Sequence, residues 1–203
     1  MTGIGKDVPL FPLNTVLFSG GLLPLRIFEQ RYLEMAKGCL RDGAPFGVCL
    51  IRDGVEVGAP ATHEDIGCLA HIRHWDMQQL GVLQIVAQGA ERFRVLAKRV
   101  RADGLILADI ALLAEAEDTQ MPEKFRACRQ LIERIVAEHG ERIFAKPYRF
   151  DSSAWVSARL AEVLPLPAAA RQKLLELNDS LQRLEFLQRL LTESARASNH
   201  SDQ

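Results

Sequence analysis

Leu10-Phe11-Pro12-Leu13-Asn14-Thr15-Val16-Leu17-Phe18-Ser19-Gly20-Gly21-Leu22-Leu23-Pro24-Leu25-Arg26-Ile27-Phe28-Glu29-Gln30-Arg31-Tyr32 decides how the first half of the chain folds. Proline at 12 and 24 keeps both apolar runs out of a helix and pushes the preceding residues toward extended backbone. Gly20-Gly21 turns the chain between Val16-Leu17-Phe18 and Leu22 to Phe28. At Glu29 the period changes. Tyr32, Leu33, Ala36, Cys39 and Leu40 form the stripe of a core-facing helix. Asp42-Gly43 ends it, and Glu29 suits the positive end at its start.

Downstream, the strand-like pattern resumes. Phe46 to Ile51 is a continuous apolar run, as expected of a strand buried on both faces, and Arg52-Asp53-Gly54 is a turn. From Ile66 to Trp75 the residues alternate, with Ile66, Cys68, Ala70 and Ile72 on one face and His71 and Arg73 on the other. Val82 to Gln88 is a further strand, and Phe93 and Val95 alternate with Arg92 and Arg94. Asp103-Gly104 before Leu105-Ile106-Leu107 signals a hairpin. Roughly six to eight strands joined irregularly imply a closed or half-closed barrel with mixed pairing.

After about residue 120 the period is helical. Met121 to His139 carries Phe125, Cys128, Leu131, Ile132, Ile135 and Val136 at helical spacing and is expected to end near Gly140. Asp151 is the expected N-cap of the next helix, which Leu164-Pro165-Leu166-Pro167 stops. Asn178-Asp179-Ser180 can cap a last helix, and the polar tail from Ser194 to Gln203 is expected to fray. The expected division is a barrel-like β subdomain over residues 1–113 and a helical bundle over 114–203, hinged between Leu113 and Met121. The fold class is therefore α+β.

Bulk properties exclude several functions. The net charge is −1. Up to residue 110 there are 12 Lys+Arg against 12 Asp+Glu, and after it 13 against 14. Neither half carries the positive excess that a phosphate backbone rewards, which disfavours nucleic acid. Met1 to Asp7 has no apolar leader, and no apolar run nears the length of a membrane span. Cys39, Cys49, Cys68 and Cys128 form no C-x-x-C pair and are expected to be reduced core residues of a cytoplasmic chain.

No catalytic motif is found. Gly3-Ile4-Gly5-Lys6-Asp7 lacks both the upstream glycine and the hydroxyl of a phosphate-binding loop. Strict alternation puts Cys68 and His74 on one face but His71 on the other, against a zinc site with His63 nearby. His63-Glu64-Asp65 reads as a solvated loop, and Ser152 and Ser153 as helix-capping residues. No enzyme activity, metal or cofactor is expected.

Three stretches together resemble the substrate-binding N-terminal domain of the Lon protease family. They are Leu10 to Tyr32; Gly67-Cys68-Leu69-Ala70-His71-Ile72 with Gly89-Ala90-Glu91-Arg92-Phe93-Arg94-Val95; and Leu164-Pro165-Leu166-Pro167 with Gln172-Lys173-Leu174-Leu175-Glu176. Ser19 departs from the family's usual proline. The resemblance implies a barrel-like sheet of the PUA-like class with one inserted helix, followed by a helical bundle. It also implies a stand-alone member without ATPase or peptidase modules, a non-catalytic module that binds polypeptide segments or a partner protein. Candidate binding residues are Phe28, Glu29, Arg31 and Tyr32 at a strand-to-helix corner, and Trp75 near a strand end. The four corner residues equally suit fixing the turn, and the Trp75 indole equally suits burial. An RNA-binding module of the PUA-like class is the alternative, on fold analogy alone. A small-ligand enzyme with a polar pocket is a third reading.

Overall fold

Pro9 and Pro12 sit inside the first strand, where extended backbone suits them. In a computed structural model, which describes residues 3–115 and 117–201, this strand is β1 (Ile4–Leu13), followed by β2 (Leu22–Ile27), α1 (Gln30–Asp42), β3 (Phe46–Asp53), β4 (Thr62–Gln79), β5 (Val82–Val100) and β6 (Ile106–Leu112). The spatial order is β2-β5-β4-β3-β1-β6, with an additional β5–β6 pairing. That extra pairing closes β5-β4-β3-β1-β6 into a barrel and leaves β2 outside it, against the first half of β5. The β1–β3 pair is parallel and the other pairs are antiparallel. The predicted barrel with mixed pairing is therefore present.

Two predicted strands, Val82 to Gln88 and the Phe93–Val95 stretch, are one continuous strand. β5 runs unbroken through a register shift against β4 between Cys68 and Ala70. Its first part pairs with β2 and its last part with β6. The Asp103-Gly104 hairpin is present, joining β5 to β6.

Apolar faces meet where the alternation puts them. Phe11, Tyr32, Phe46, Cys68, Ala70, Leu83 and Ile85 belong to one buried cluster under α1 and β2; Leu10, Phe93, Ile106 and Ile110 belong to a second. Phe11 stacks on Tyr32 with ring centroids 4.0 Å apart, a contact worth about 1 kcal/mol beyond its area. α1 ends as expected at Gly43, whose φ of 63° is the left-handed cap conformation. Gly89 has a different reason. A side chain there would strike the backbone carbonyl of Phe18, so only glycine lets this loop approach.

The chain divides into two compact units. One comprises residues 1–114 together with Pro167–Glu176; the other comprises 115–166 and 177–203. The first unit thus takes in α4 (Ala168–Glu176), which the sequence places in the helical half. Two buried polar contacts account for this. Arg92 donates from Nη1 to the Leu175 carbonyl at 2.6 Å, and Gln172 donates from Nε2 to the Ile66 carbonyl at 3.0 Å.

The second unit holds α2 (Arg126–Ile143), α3 (Ser153–Val163) and α5 (Ser180–Ser201), with a short 3-10 turn at Glu123–Phe125 before α2. Two expectations need correction. Gly140 lies inside α2 and does not end it; Val136 and the Tyr148 hydroxyl pack where a side chain would be. The N-cap of α3 is Ser152, which accepts from the Trp155 amide at 3.0 Å, while Asp151 pairs with Arg129. α5 runs through Ser201 and so takes in most of the polar tail; Asp202 and Gln203 lie outside the described residues. At its start Asp179 accepts from the Leu181 amide at 2.8 Å, as the capping reading anticipates.

Candidate functional site

The strand-to-helix corner is built mostly inward. Arg31 is buried; it donates from Nη1 to the Gly104 carbonyl at 3.1 Å and from Nη2 to Glu29 at 2.9 Å. Its guanidinium also lies 4.6 Å from the Tyr32 ring centre. Glu29 precedes α1 and accepts from the Gly58 amide at 3.3 Å. Tyr32 is buried against Phe11, and burial raises its hydroxyl pKa above the ordinary value. Glu29, Arg31 and Tyr32 thus form one brace joining α1 to the β5–β6 turn and to the loop after β3. Phe28 stands apart from them, 51% exposed.

A second apolar surface lies at the end of a three-stranded arm. Beyond Ala70, β4 leaves β3 and pairs with β5 alone, and β5 pairs there with β2 on its other side. Leu80-Gly81 closes the arm in two residues, with Gly81 at φ 81°. Trp75 is 60%, Met77 41% and Leu80 96% exposed. Phe28 follows the Ile27–Leu83 pair and Trp75 faces Ile85, so both belong to this distal end. The register therefore puts Phe28 and Trp75 toward the same end of the arm, on the two strands that flank β5, and leaves Glu29, Arg31 and Tyr32 in the brace.

A β-bulge sets the arm's faces. Ile72 lies opposite Ala87 but His74 lies opposite Val86, so one extra residue sits at Arg73. Strict alternation fails there. His74 joins His71 on the outer face, and Trp75 joins Ile72 and Ile85 on the core side, where the core has run out. The expectation that Cys68 and His74 share a face is overturned by this bulge. Among the described residues no group of three or more His, Cys, Asp or Glu is poised to hold a metal.

On the outer face Pro24, Val86 and His74 form one cross-strand row, and Arg26, Gln84 and Asp76 the next. They line an open groove of about 520 Å³ that Trp75 also borders. Gly89 donates to the Gly21 carbonyl at 2.9 Å. With that register, the main-chain groups of Leu22, Pro24 and Arg26 point away from β5. The β2 edge is open, but Pro24 removes a donor from its middle, a common guard against uncontrolled strand addition.

Met77, Leu80, Arg26 and Arg73 were not singled out from the sequence. The available signal was Leu80 before Gly81, a large apolar residue in a two-residue turn where polar residues normally stand.

His63 is not a solvated loop residue. It is buried in β4, with Nδ1 2.8 Å from the Glu64 carbonyl and Nε2 3.4 Å from Lys98. A carbonyl only accepts, so Nδ1 carries the proton. Burial pushes the imidazole pKa below its ordinary value. Among the described residues no helix is long and apolar enough to cross a membrane.

Comparison with known proteins fits this architecture. Residues 7–193 match the model of the ATP-dependent protease La (LON) substrate-binding domain. A Lon protease of Paraburkholderia phytofirmans is 29% identical over 192 residues, covering 88% of this chain and 23% of that protein. Protein cereblon of Xenopus tropicalis is 27% identical over 114 residues, covering 54% of this chain and 24% of that protein. The chain thus spans about a quarter of the length of these curated relatives. The crystal structure of a Lon N-terminal domain protein from Xanthomonas campestris superposes with a TM-score of 0.75 at 35% identity, covering 91% of this chain and 98% of that one. The N-terminal domain of a Mycobacterium avium complex Lon protease, 15% identical with a TM-score of 0.61, covers 90% of this chain and 96% of that one and shares the fold. This chain belongs to the Lon substrate-binding domain family.

Proposed function

We propose that the chain is a non-catalytic polypeptide-binding module and that the end of the β2-β5-β4 arm is its contact surface. The observation that carries the reading is the exposed apolar set at one tip, namely Phe28, Trp75, Met77 and Leu80. Large apolar side chains gathered in one place on a surface mark interaction sites more often than scattered ones do, and tryptophan is the side chain that most often dominates binding energy. The family's substrate-binding character supports the same reading. An unfolded segment offers apolar side chains that a folded protein conceals. Most of the affinity comes from side chains at the tip, with the β2 edge adding main-chain bonds beside Arg26 and none from the Pro24 nitrogen. Arg31, Glu29 and Tyr32 act indirectly, by holding the corner from which β2 and Phe28 project.

The test is direct binding of the chain to one protein in two forms, native and permanently unfolded by reduction and alkylation. The unfolded form is expected to bind and the native form not, with Trp75→Glu and Leu80→Glu each weakening binding at least about tenfold. Equal affinity for the two forms would remove the proposal.

A further inference from the structure

We infer that the arm selects extended segments in which carboxylates accompany the apolar residues, an inference that rests on the polypeptide-binding reading above. Elsewhere in the same unit, four exposed arginines are neutralised, while Arg94 on β5 has no carboxylate partner among the described residues. Arg41 pairs with Asp42, Arg52 with Glu64, Arg99 with Asp7 and Arg101 with Asp103. The arm differs. Arg26 lies on the outer face of β2, and Arg73 sits at the bulge of β4, where its Nε donates at 2.9 Å to the neutral Gln88 side chain. Among the described residues neither guanidinium pairs with a carboxylate. Asp76 is the one acid on this part of the arm, against Arg26 and Arg73 and the two imidazoles of His71 and His74.

This arrangement complements an anionic partner. The guanidiniums flank the groove row of Pro24, Val86 and His74, and they share the arm with Trp75 and Leu80. A segment that lays apolar residues on the tip carries its neighbouring side chains past Arg26 or Arg73. Carboxylates at those positions gain charge-assisted hydrogen bonds; ammonium groups meet like charge. A polypeptide fits better than a nucleic acid, because the adjacent surface is aliphatic and indole with one acid in it, and the chain as a whole carries no positive excess.

The experiment uses the full chain and three labelled short peptides with leucine at alternate positions and glutamate, glutamine or lysine between them. Two exposed ion pairs predict that the glutamate peptide binds about fivefold more tightly than the glutamine peptide. The lysine peptide should bind most weakly, and the differences should shrink at about 0.5 M salt. In the Arg26→Gln, Arg73→Gln double variant the glutamate preference is expected to vanish while affinity for the glutamine peptide stays. The peptide series and its salt dependence on the unaltered chain stand even if the double variant folds poorly. Equal binding of the glutamate and glutamine peptides overturns the acidic selectivity but leaves polypeptide binding intact. Absence of binding to any peptide removes the reading beneath it as well. Single-stranded oligouridine that binds more tightly than the glutamate peptide, and is lost in the double variant, assigns the two guanidiniums to nucleic acid and also overturns the inference.

Discussion

Arg92→Met tests why α4 folds with the sheet from which residues 113–167 separate it. The Arg92 guanidinium is buried and donates to the Leu175 carbonyl at 2.6 Å. Methionine keeps much of the aliphatic length, so the substitution mainly removes the charged donor and leaves a buried carbonyl unanswered. A hydrogen bond from a charged group is worth about 1.5–3 kcal/mol. Because Arg92 has further partners, the upper end applies, and about 3 kcal/mol is expected. The two compact units make a single global melting temperature a poor readout. Hydrogen exchange of the α4 amides, followed by mass spectrometry, reads the local opening free energy directly. The expected loss accelerates exchange roughly a hundredfold, at about 1.4 kcal/mol per decade. Gln172→Leu removes a neutral bond to the Ile66 carbonyl and should accelerate exchange by roughly tenfold or less. If the two residues act as one tether, the double variant costs less than the sum of the single ones. An Arg92→Met protein whose α4 exchange rises less than about threefold would refute the tether, since that is well under 1 kcal/mol.

Gly89→Ala should destabilise the first unit by about 3 kcal/mol, because the added methyl meets the Phe18 backbone carbonyl and not a movable side chain; urea unfolding monitored at β5 checks this. Burial lowers the His63 pKa below its ordinary 6.5, so the unfolded state binds the proton more readily. The stability this contributes is complete above that ordinary value and is lost as pH falls from it toward the depressed folded value. Urea midpoints compared at about pH 7.5 and about pH 5.5 should show a fall that His63→Gln reduces. All four cysteines are buried thiols outside any disulfide, with Cys39 and Cys128 raised to about 11 by burial and Cys49 higher still. A disulfide thiol reagent should therefore modify none in the native protein and all four after denaturation; rapid native labelling of Cys49 contradicts the packing.

The elements most legible in the sequence are those whose signal is local. The α1 stripe of Tyr32, Leu33, Ala36 and Cys39, its stop at Gly43 and the apolar run of β3 all follow from period and turn chemistry, whereas Leu40, expected in the same stripe, is exposed at the last turn. Barrel closure through the β5–β6 hairpin was foreshadowed by Asp103-Gly104. What the sequence hides depends on register or on distant contacts. The bulge at Arg73 inserts one residue and reverses the face of everything after it, so period-2 counting misplaces His74. The allegiance of α4 rests on Arg92 and Gln172 reaching carbonyls 83 and 106 residues away in sequence. The candidate site was half legible for the same reason. Arg31 and Tyr32 belong to a motif whose residues brace the corner, whereas exposure at Trp75 and Leu80 is set by how far the arm extends beyond the barrel.

The central claim is that Trp75 at the arm's tip contacts bound polypeptide. The chain has two tryptophans, Trp75 and Trp155, so a Trp155→Phe variant leaves Trp75 as the sole indole reporter. Titrating that variant with a permanently unfolded, tryptophan-free polypeptide should shift the Trp75 emission to shorter wavelength and saturate with the binding isotherm, as the exposed ring leaves water. Saturable binding with the emission of Trp75 unchanged would contradict the account.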